Sequence, residues 1–250
     1  MFIAIIQARM GSTRLPNKVM KEVLGKPLIA YLLERVSTSK HIGEIIVATT
    51  TNSEDDILSK YVSSLGYHVF RGSENDVLSR YYNAYLTLNL KENINGIIRI
   101  TGDCPLFESD ICDELIEFYN KEKADHVYLS PKFAEGLDCD IFSPKLLKLA
   151  FDNAMLPSER EHVTLYFNKL DIKQLLLDNS RDDSKYRLTI DEPEDYIVIK
   201  SIIENLENLN KKLTFNNVKS FLDSNPDVFK INSRIIRNEG LIKSIEEESN

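Results

Sequence analysis

The chain has 250 residues, 42% of them hydrophobic and 28% charged, with a net charge of −8 at pH 7; that is length enough for one large α/β domain with a sizeable core. The acidic balance argues against a general binder of nucleic acid polymers, whose phosphates demand a basic surface, and no apolar run approaches the roughly 18 residues of a membrane helix. Cys104, Cys112 and Cys139 lack C-x-x-C spacing, which argues against a disulfide framework or a zinc knuckle and leaves reduced, structural thiols.

The opening MFIAIIQARM lacks the basic-then-apolar plan of a secretory signal, so a cytoplasmic protein is expected. Residues 2–6 form a short β-branched apolar run that predicts a strand. A helix is expected over 28–36, where Leu28, Leu32, Leu33 and Val36 share one face and Pro27 suits the first turn. A second strand follows at 45–49. Ser53-Glu-Asp-Asp resembles a capping-box start, and Gly66 ends that helix. The alternation continues with a strand at 67–70, a helix at 76–88, a strand at 96–101, a helix at 109–123 and a strand at 126–129. Strands alternating with helices predict a mostly parallel sheet covered on both faces. The rhythm then changes. A strand is expected at 134–142, helices at 144–153 and 158–168, the second opening on a Ser158/Glu161 capping box, strands at 172–177 and 186–190, and helices at 193–206 and 218–222. The expected organisation is one domain over 1–230, with a small β excursion at about 131–180 that offers a dimer contact, and a partly disordered tail over 231–250.

In open α/β sheets, ligands bind outside the carboxyl ends of the strands, so the loops after Ile6 and Ile100 draw attention. Residues 5–18 read IIQARMGSTRLPNK. Residues 1–26 carry a charge of +4, leaving −12 for the rest of the chain, an asymmetry that suits one small polyanion held locally. Gly11 and Ser12 allow close backbone approach while Arg9, Arg14 and Lys18 converge, a set fitted to a triphosphate; the alternative is a solvated basic loop. Neither G-x-x-x-x-G-K-[ST] nor G-x-G-x-x-G is present. RITGDCPLF (99–107) places Asp103 at the end of a strand, where Mg²⁺ would take it together with substrate phosphates, although Asp after Gly is also ordinary turn chemistry. LTIDEPEDY (188–196) ends a second apolar strand on Asp191. Asp191 would cap the following helix or share the metal with Asp103. AEGLDCDIF (134–142) contains Asp138-Cys-Asp140, formally a D-x-D metal motif of nucleotide-sugar glycosyltransferases; a catalytically silent nucleotide-binding module is the other rival.

The run IIQARMGSTRLPNKVMKEVLGKPL, followed in order by VATTTNSEDD, VFRGSENDVLSRYY, RITGDCPL, SEREHVTLYF, LTIDEPEDY and IIRNEGLIKS, resembles the bacterial cytidylyltransferases. These include the acylneuraminate and ketodeoxyoctonate enzymes and, most similar of all, the spore-coat-polysaccharide branch. The resemblance implies a Rossmann-like, GT-A-like nucleotidyltransferase fold, a three-layer sandwich. It implies transfer of CMP from CTP to a sugar, sugar acid or related small acceptor, with Mg²⁺ as cofactor and a homodimer as the working form. Carried onto this chain, Ala8, Arg9, Gly11, Ser12, Arg14, Lys18, Thr101 and Asp103 would bind the nucleotide, Arg14, Lys18, Asp103 and Asp191 would act in catalysis, and Asp103 and Asp191 would hold the metal. Glu135, Asp138, Asp140, Arg160 and His162 would line the acceptor side, with Arg71 and Arg99 as further contacts; Lys26 would be a further phosphate contact or a lysine snorkelling from the helix start. Glu135 stands where the branch commonly has Asp, and Cys139 falls between the two aspartates.

Overall fold

A seven-stranded sheet forms the centre of the computed structural model, which describes residues 1–88 and 93–237. Its strands in chain order are β1 (Phe2–Gln7), β4 (Ile42–Thr50), β5 (His68–Gly72), β6 (Gly96–Thr101), β7 (His126–Leu129), β8 (Asp140–Phe142) and β9 (Gln174–Leu177), and a two-stranded ribbon pairs β2 (Glu22–Val23) with β3 (Lys26–Pro27). The spatial order is β5-β4-β1-β6-β8-β7-β9. β1 is parallel to both β4 and β6, whereas β8 runs antiparallel to β6 and β7. The chain therefore leaves β1 toward β5 and returns on its other side at β6, which puts a topological switch point beside the carboxyl ends of β1 and β6.

β1 is an unbroken apolar run because both of its faces are covered. Ala4 and Ile6 face α1 (Leu28–Val36), α2 (Asp56–Ser64) and α4 (Ser109–Glu122), whereas Ile3 and Ile5 face α3 (Val77–Leu86) and α5 (Pro144–Asn153). The period-2 alternation of a strand divides its side chains between these layers, and each fully buried Leu or Ile contributes about 1.5–3 kcal/mol. The buried Tyr81 hydroxyl donates to Ile5 O and Ile100 O at 3.1 Å each, tying α3 to both central strands. A third apolar cluster joins Leu15, Val23 and Leu28 to α7 (Pro193–Asn208) and α8 (Phe215–Ser224). It fastens the C-terminal third over the loop that follows β1. Among the described residues, no helix is long and apolar enough to cross a membrane.

Several local expectations are corrected. Ser53 caps nothing: residues Ser53–Asp55 form a 3₁₀ turn without a side-chain cap, because Asp55 is drawn inward to accept from Met10 N. The strand expected at 134–142 shortens to β8, and 186–190 does not join the sheet; the two segments meet instead through a bridge between Glu135 and Arg187. The helix expected over 158–168 breaks at Val163, whose φ is 44°, into α6 (Pro157–Glu161) and a 3₁₀ segment, Leu165–Lys169. The glutamate that accepts from the entering backbone is Glu159, from Met155 N and Leu156 N, in place of Glu161. Within 131–180 lie β8 and β9, two strands of the main sheet. Of the expected tail, Asn232 is buried and Arg237 donates to Pro131 O and Phe133 O; residues 238–250, with the end of IIRNEGLIKS, lie outside the described residues.

Candidate active site

The loop after β1 is held from below. Met10 N donates to Asp55 Oδ1 at 2.6 Å in the interior, and Thr50 donates to the other carboxylate oxygen. Met10 O in turn accepts from Ser12 N at 2.9 Å and Asn17 N at 3.1 Å. The chain turns back through Asn17, at φ 59°, into a short 3₁₀ segment, Lys18–Met20, which returns Lys18 toward the sheet. Gly102 N donates to Gln7 O at 2.7 Å. A Cβ on Gly102 would meet Ala8 Cβ at 2.7 Å and Gln7 O at 3.0 Å, so only glycine lets the ends of β1 and β6 come this close.

At that seam Lys18 Nζ donates to Asp103 Oδ2 at 2.8 Å and to Asp191 Oδ1 at 2.7 Å. The two strand-end aspartates are thus brought to one ammonium. Burial alone would lower the lysine, but the charges and hydrogen bonds of Asp103 and Asp191 hold it above its usual range. Burial would likewise raise Asp103, yet Lys18 holds it below the usual carboxylate range. Arg14 reaches Asp191 at 3.5 Å and Glu192 at 2.9 Å, and Arg9 reaches Glu74 at 2.5 Å. Asp191 is also positioned from behind. Asp195, fully buried, accepts from Asp191 N at 2.9 Å and Glu192 N at 3.0 Å and from Arg187 through both carboxylate oxygens; Arg187 Nη2 then donates to Asp191 Oδ2 at 3.3 Å.

A hard divalent cation takes the same oxygen donors that Lys18 holds. Among the described residues no group of three or more His, Cys, Asp or Glu side chains is placed to hold a metal. An ion at Asp103 and Asp191 would therefore complete its shell from phosphate oxygens and water, as Mg²⁺ does; the donor set fits that mode of binding.

The profile of a family described as Cytidylyltransferase matches residues 3–223. The chain belongs to the cytidylyltransferase family. It is 36% identical to an uncharacterized protein of Methanocaldococcus jannaschii, covering 93% of this chain and 95% of that one. It is 33% identical to the spore coat polysaccharide biosynthesis protein SpsF of Bacillus subtilis, covering 80% and 85%, and 31% identical to the 3-deoxy-manno-octulosonate cytidylyltransferase of Thermodesulfovibrio yellowstonii, covering 67% and 69%. Its fold superposes on a solved cytidylyltransferase from Leptospira borgpetersenii with a TM-score of 0.82 at 36% identity, covering 91% and 96% of the two chains. The Rossmann-like nucleotidyltransferase architecture expected from the motifs is the observed one.

In this cytidylyltransferase two cavities meet at the seam. One, of about 450 Å³, is lined by Ala8, Arg9, Gly11, Ser12, Arg14, Lys18, Thr101 and Asp103, the residues matched to the nucleotide with the exception of Lys26, together with Asp191. The other, of about 570 Å³, is lined by Glu135, Asp138, Asp140 and His162, with Arg99 and Arg187. Gln7, Arg14, Thr101, Asp103, Glu161, His162 and Asp191 border both. Arg160 lines neither: its guanidinium grips Asp76, the N-cap of α3, at 3.0 and 2.5 Å and donates to Phe151 O. It is a structural clamp, and its place among the acceptor contacts is withdrawn. Lys26 pairs with Glu34 and covers Tyr31, and Arg71 donates to Asp56, Thr50 O and Asn52 O; neither lines a cavity at the seam. The D-x-D pair is split between two arginines, Asp140 with Arg99 at 2.8 Å and Asp138 with Arg237 at 2.6 Å, which leaves it unlike a shared metal site.

Sequence reasoning missed Gln7, Glu74, Asn75 and Arg80 on the nucleotide side and the Asp195–Arg187–Glu135 chain behind Asp191. The matched stretch VFRGSENDVLSRYY already contained Glu74, Asn75 and Arg80. Asp195 lies in the first turn of α7, where any acidic residue suits the helix dipole, so its sequence position alone does not mark it.

Proposed function

We propose that this cytidylyltransferase transfers CMP from CTP to a hydroxyl of a small sugar, sugar acid or related acceptor in a Mg²⁺-dependent reaction, releasing pyrophosphate and supplying an activated product for surface polysaccharide or glycan synthesis. The observation that carries this reading is the shared wall. Arg14, Thr101, Asp103 and Asp191 border both the cation-lined cavity and the acidic one, so a phosphorus atom and an attacking oxygen would meet there. The names of the spore coat and octulosonate relatives support the substrate assignment.

The chemistry follows from where the charge goes. Arg9, Arg14 and Lys18 receive the triphosphate on the nucleotide side, Arg9 exchanging Glu74 for phosphate oxygens, with guanidinium forks and the ammonium ready to stabilise charge on the leaving pyrophosphate. The acceptor oxygen forms its bond to the α-phosphorus while the bond to the bridging oxygen of pyrophosphate breaks. The hydroxyl proton passes to a seam carboxylate or to water. Mg²⁺, when bound at Asp103 and Asp191, would supply further neutralisation of the phosphoryl oxygens. Lys18 meanwhile keeps Asp103 ionised, and Asp195 with Arg187 keeps Asp191 aimed at the seam.

Replacement of Asp103 by Asn, which keeps the shape and removes the charge, should reduce CTP-dependent pyrophosphate release by at least about a hundredfold while leaving the circular dichroism spectrum unchanged. Chelation should abolish release in the unaltered protein, and added Mg²⁺ should restore it. Undiminished turnover in D103N would remove the carboxylate from the mechanism.

A further inference from the structure

Among the described residues, two side chains that line the acidic cavity carry a buried hydrogen-bond acceptor without a partner. His126, on β7, is 5% exposed and lines it, and among the described residues its Nε2 has no hydrogen-bond partner. The tautomer is set by its neighbour. Gln174 Nε2 donates to Phe167 O at 3.2 Å, which turns its amide oxygen toward His126 Nδ1 at 2.9 Å. Nδ1 must then carry the proton, and Nε2 presents a bare lone pair. Burial, the largest influence on this ring, also favours its neutral form. At the seam, Gln7 Oε1 is buried and likewise without a partner. Native proteins rarely leave such atoms unsatisfied, and a ligand is a ready explanation at a cavity wall.

The charges on the same wall point the same way. Each guanidinium that lines it already holds a carboxylate: Arg99 holds Asp140, Arg187 holds Glu135 and Asp195, and Arg14 lies against Asp191 and Glu192. Among the described residues its lining carries six carboxylates, those of Asp103, Glu135, Asp138, Asp140, Glu161 and Asp191, against three guanidiniums and no lysine, with Asp138 held by Arg237. The nucleotide side meets a triphosphate with Arg9, Arg14, Lys18 and Arg80, whereas an anionic acceptor on this wall would lie against an excess of carboxylates, a repulsion that disfavours the wrong ligand. Hydroxyl groups meet no such obstacle, since carboxylates, the imidazole Nε2 and the amide oxygen all accept from them.

Building on the CMP-transfer reading, we propose that the acceptor is an uncharged polyhydroxylated compound, a sugar or polyol without carboxylate or phosphate, that donates one hydroxyl to His126 Nε2 and another to Gln7 Oε1. It is an extended molecule. His126 lies two strands from β6, with β8 between them, and at the register of Ile97, four residues short of Thr101, so the cavity floor runs obliquely away from the seam.

Pyrophosphate release with CTP and Mg²⁺ tests this on a panel of mannose, sedoheptulose and maltitol against mannonate, 3-deoxy-manno-octulosonate, N-acetylneuraminate and maltobionate, with CTP binding followed by calorimetry on the same preparation. A neutral member should be the best substrate by kcat/KM, and maltitol should exceed maltobionate. His126→Phe, which fits among Phe142 and Phe167, should raise the KM for that substrate about tenfold, the worth of one neutral hydrogen bond, with the KM for CTP unchanged; His126→Gln should recover part of the loss. Faster turnover of any acid, or no release with any neutral member, overturns the proposal while intact CTP binding leaves the CMP-transfer reading in place. Absence of CTP binding overturns both.

Discussion

Replacing Lys18 by Met keeps the length of the side chain and removes the one ammonium between Asp103 and Asp191. Two charge-assisted hydrogen bonds, at 2.8 and 2.7 Å, are lost, each worth about 1.5–3 kcal/mol. Partial exposure weakens both, since the side chains of Lys18, Asp103 and Asp191 are 15%, 22% and 22% exposed, and Asp191 keeps Arg187 at 3.3 Å. The expected destabilisation at pH 7 is about 2–4 kcal/mol. Its pH dependence has a definite sign. A raised Lys18 contributes stability that is present below the unfolded lysine value and lost as pH rises through the folded one; a depressed Asp103 contributes stability that is present above the unfolded carboxylate value and lost as pH falls through the folded one. Both contributions are therefore present near neutrality. In the variant Asp103 lacks its cation, burial dominates, and its folded value moves above the unfolded one. Acidification then lets the seam take up a proton, and the deficit should shrink by about 1.4 kcal/mol for each unit of that movement. Urea denaturation of both proteins at pH 7 and pH 4.5, followed by circular dichroism, measures the deficit. A loss below about 1 kcal/mol at pH 7, or one that does not shrink in acid, would refute the account of Lys18 as the counter-charge of the seam.

Asp195→Ala should cost about 3–5 kcal/mol in urea unfolding, because it strands the buried Arg187 without its bidentate partner, and pyrophosphate release should fall with it as Asp191 loses its anchor. Gly136→Ala should cost roughly 1–3 kcal/mol, visible as a lowered urea midpoint: the residue sits at φ +94°, and its Cβ would lie 2.4 Å from Leu188 C and Thr189 N. A Gly136→Ala protein as stable as the unaltered one would show that 135–137 and 187–189 are not packed as described.

The elements that could be read from the chain are those whose signals are local. The runs at 96–101 and 126–129 and the helical faces at 28–36 and 144–153 carry their own periodicity and punctuation, and they fold where that pattern puts them. The cations of the first loop were legible because Gly, Pro and three positive charges in one short stretch need no partner elsewhere to be noticed. Asp103 and Asp191 could be marked as strand-end carboxylates, but their meeting at Lys18 depends on segments 85 and 173 residues away from it, and no local pattern encodes that distance.

The failures have the same physical cause. Ser53-Glu-Asp-Asp has the composition of a cap, yet the interior needs the Asp55 carboxylate to hold Met10 N, and tertiary demand overrides local propensity. Arg160 and His162 lie two residues apart on one short segment, so sequence cannot say which of them faces the ligand; packing aims Arg160 at Asp76 and leaves His162 on both cavities. Residues 186–190 alternate like a strand, but their backbone partners are Glu135 and Asp103, a pairing set by the closure of the C-terminal cluster over the first loop. The sequence by itself determined which residues carry charge, which are apolar and where the chain can turn. Only the tertiary structure decided which charges share a cavity, because Coulomb energy and hydrogen bonds act over a few ångströms of space and are indifferent to separation along the chain.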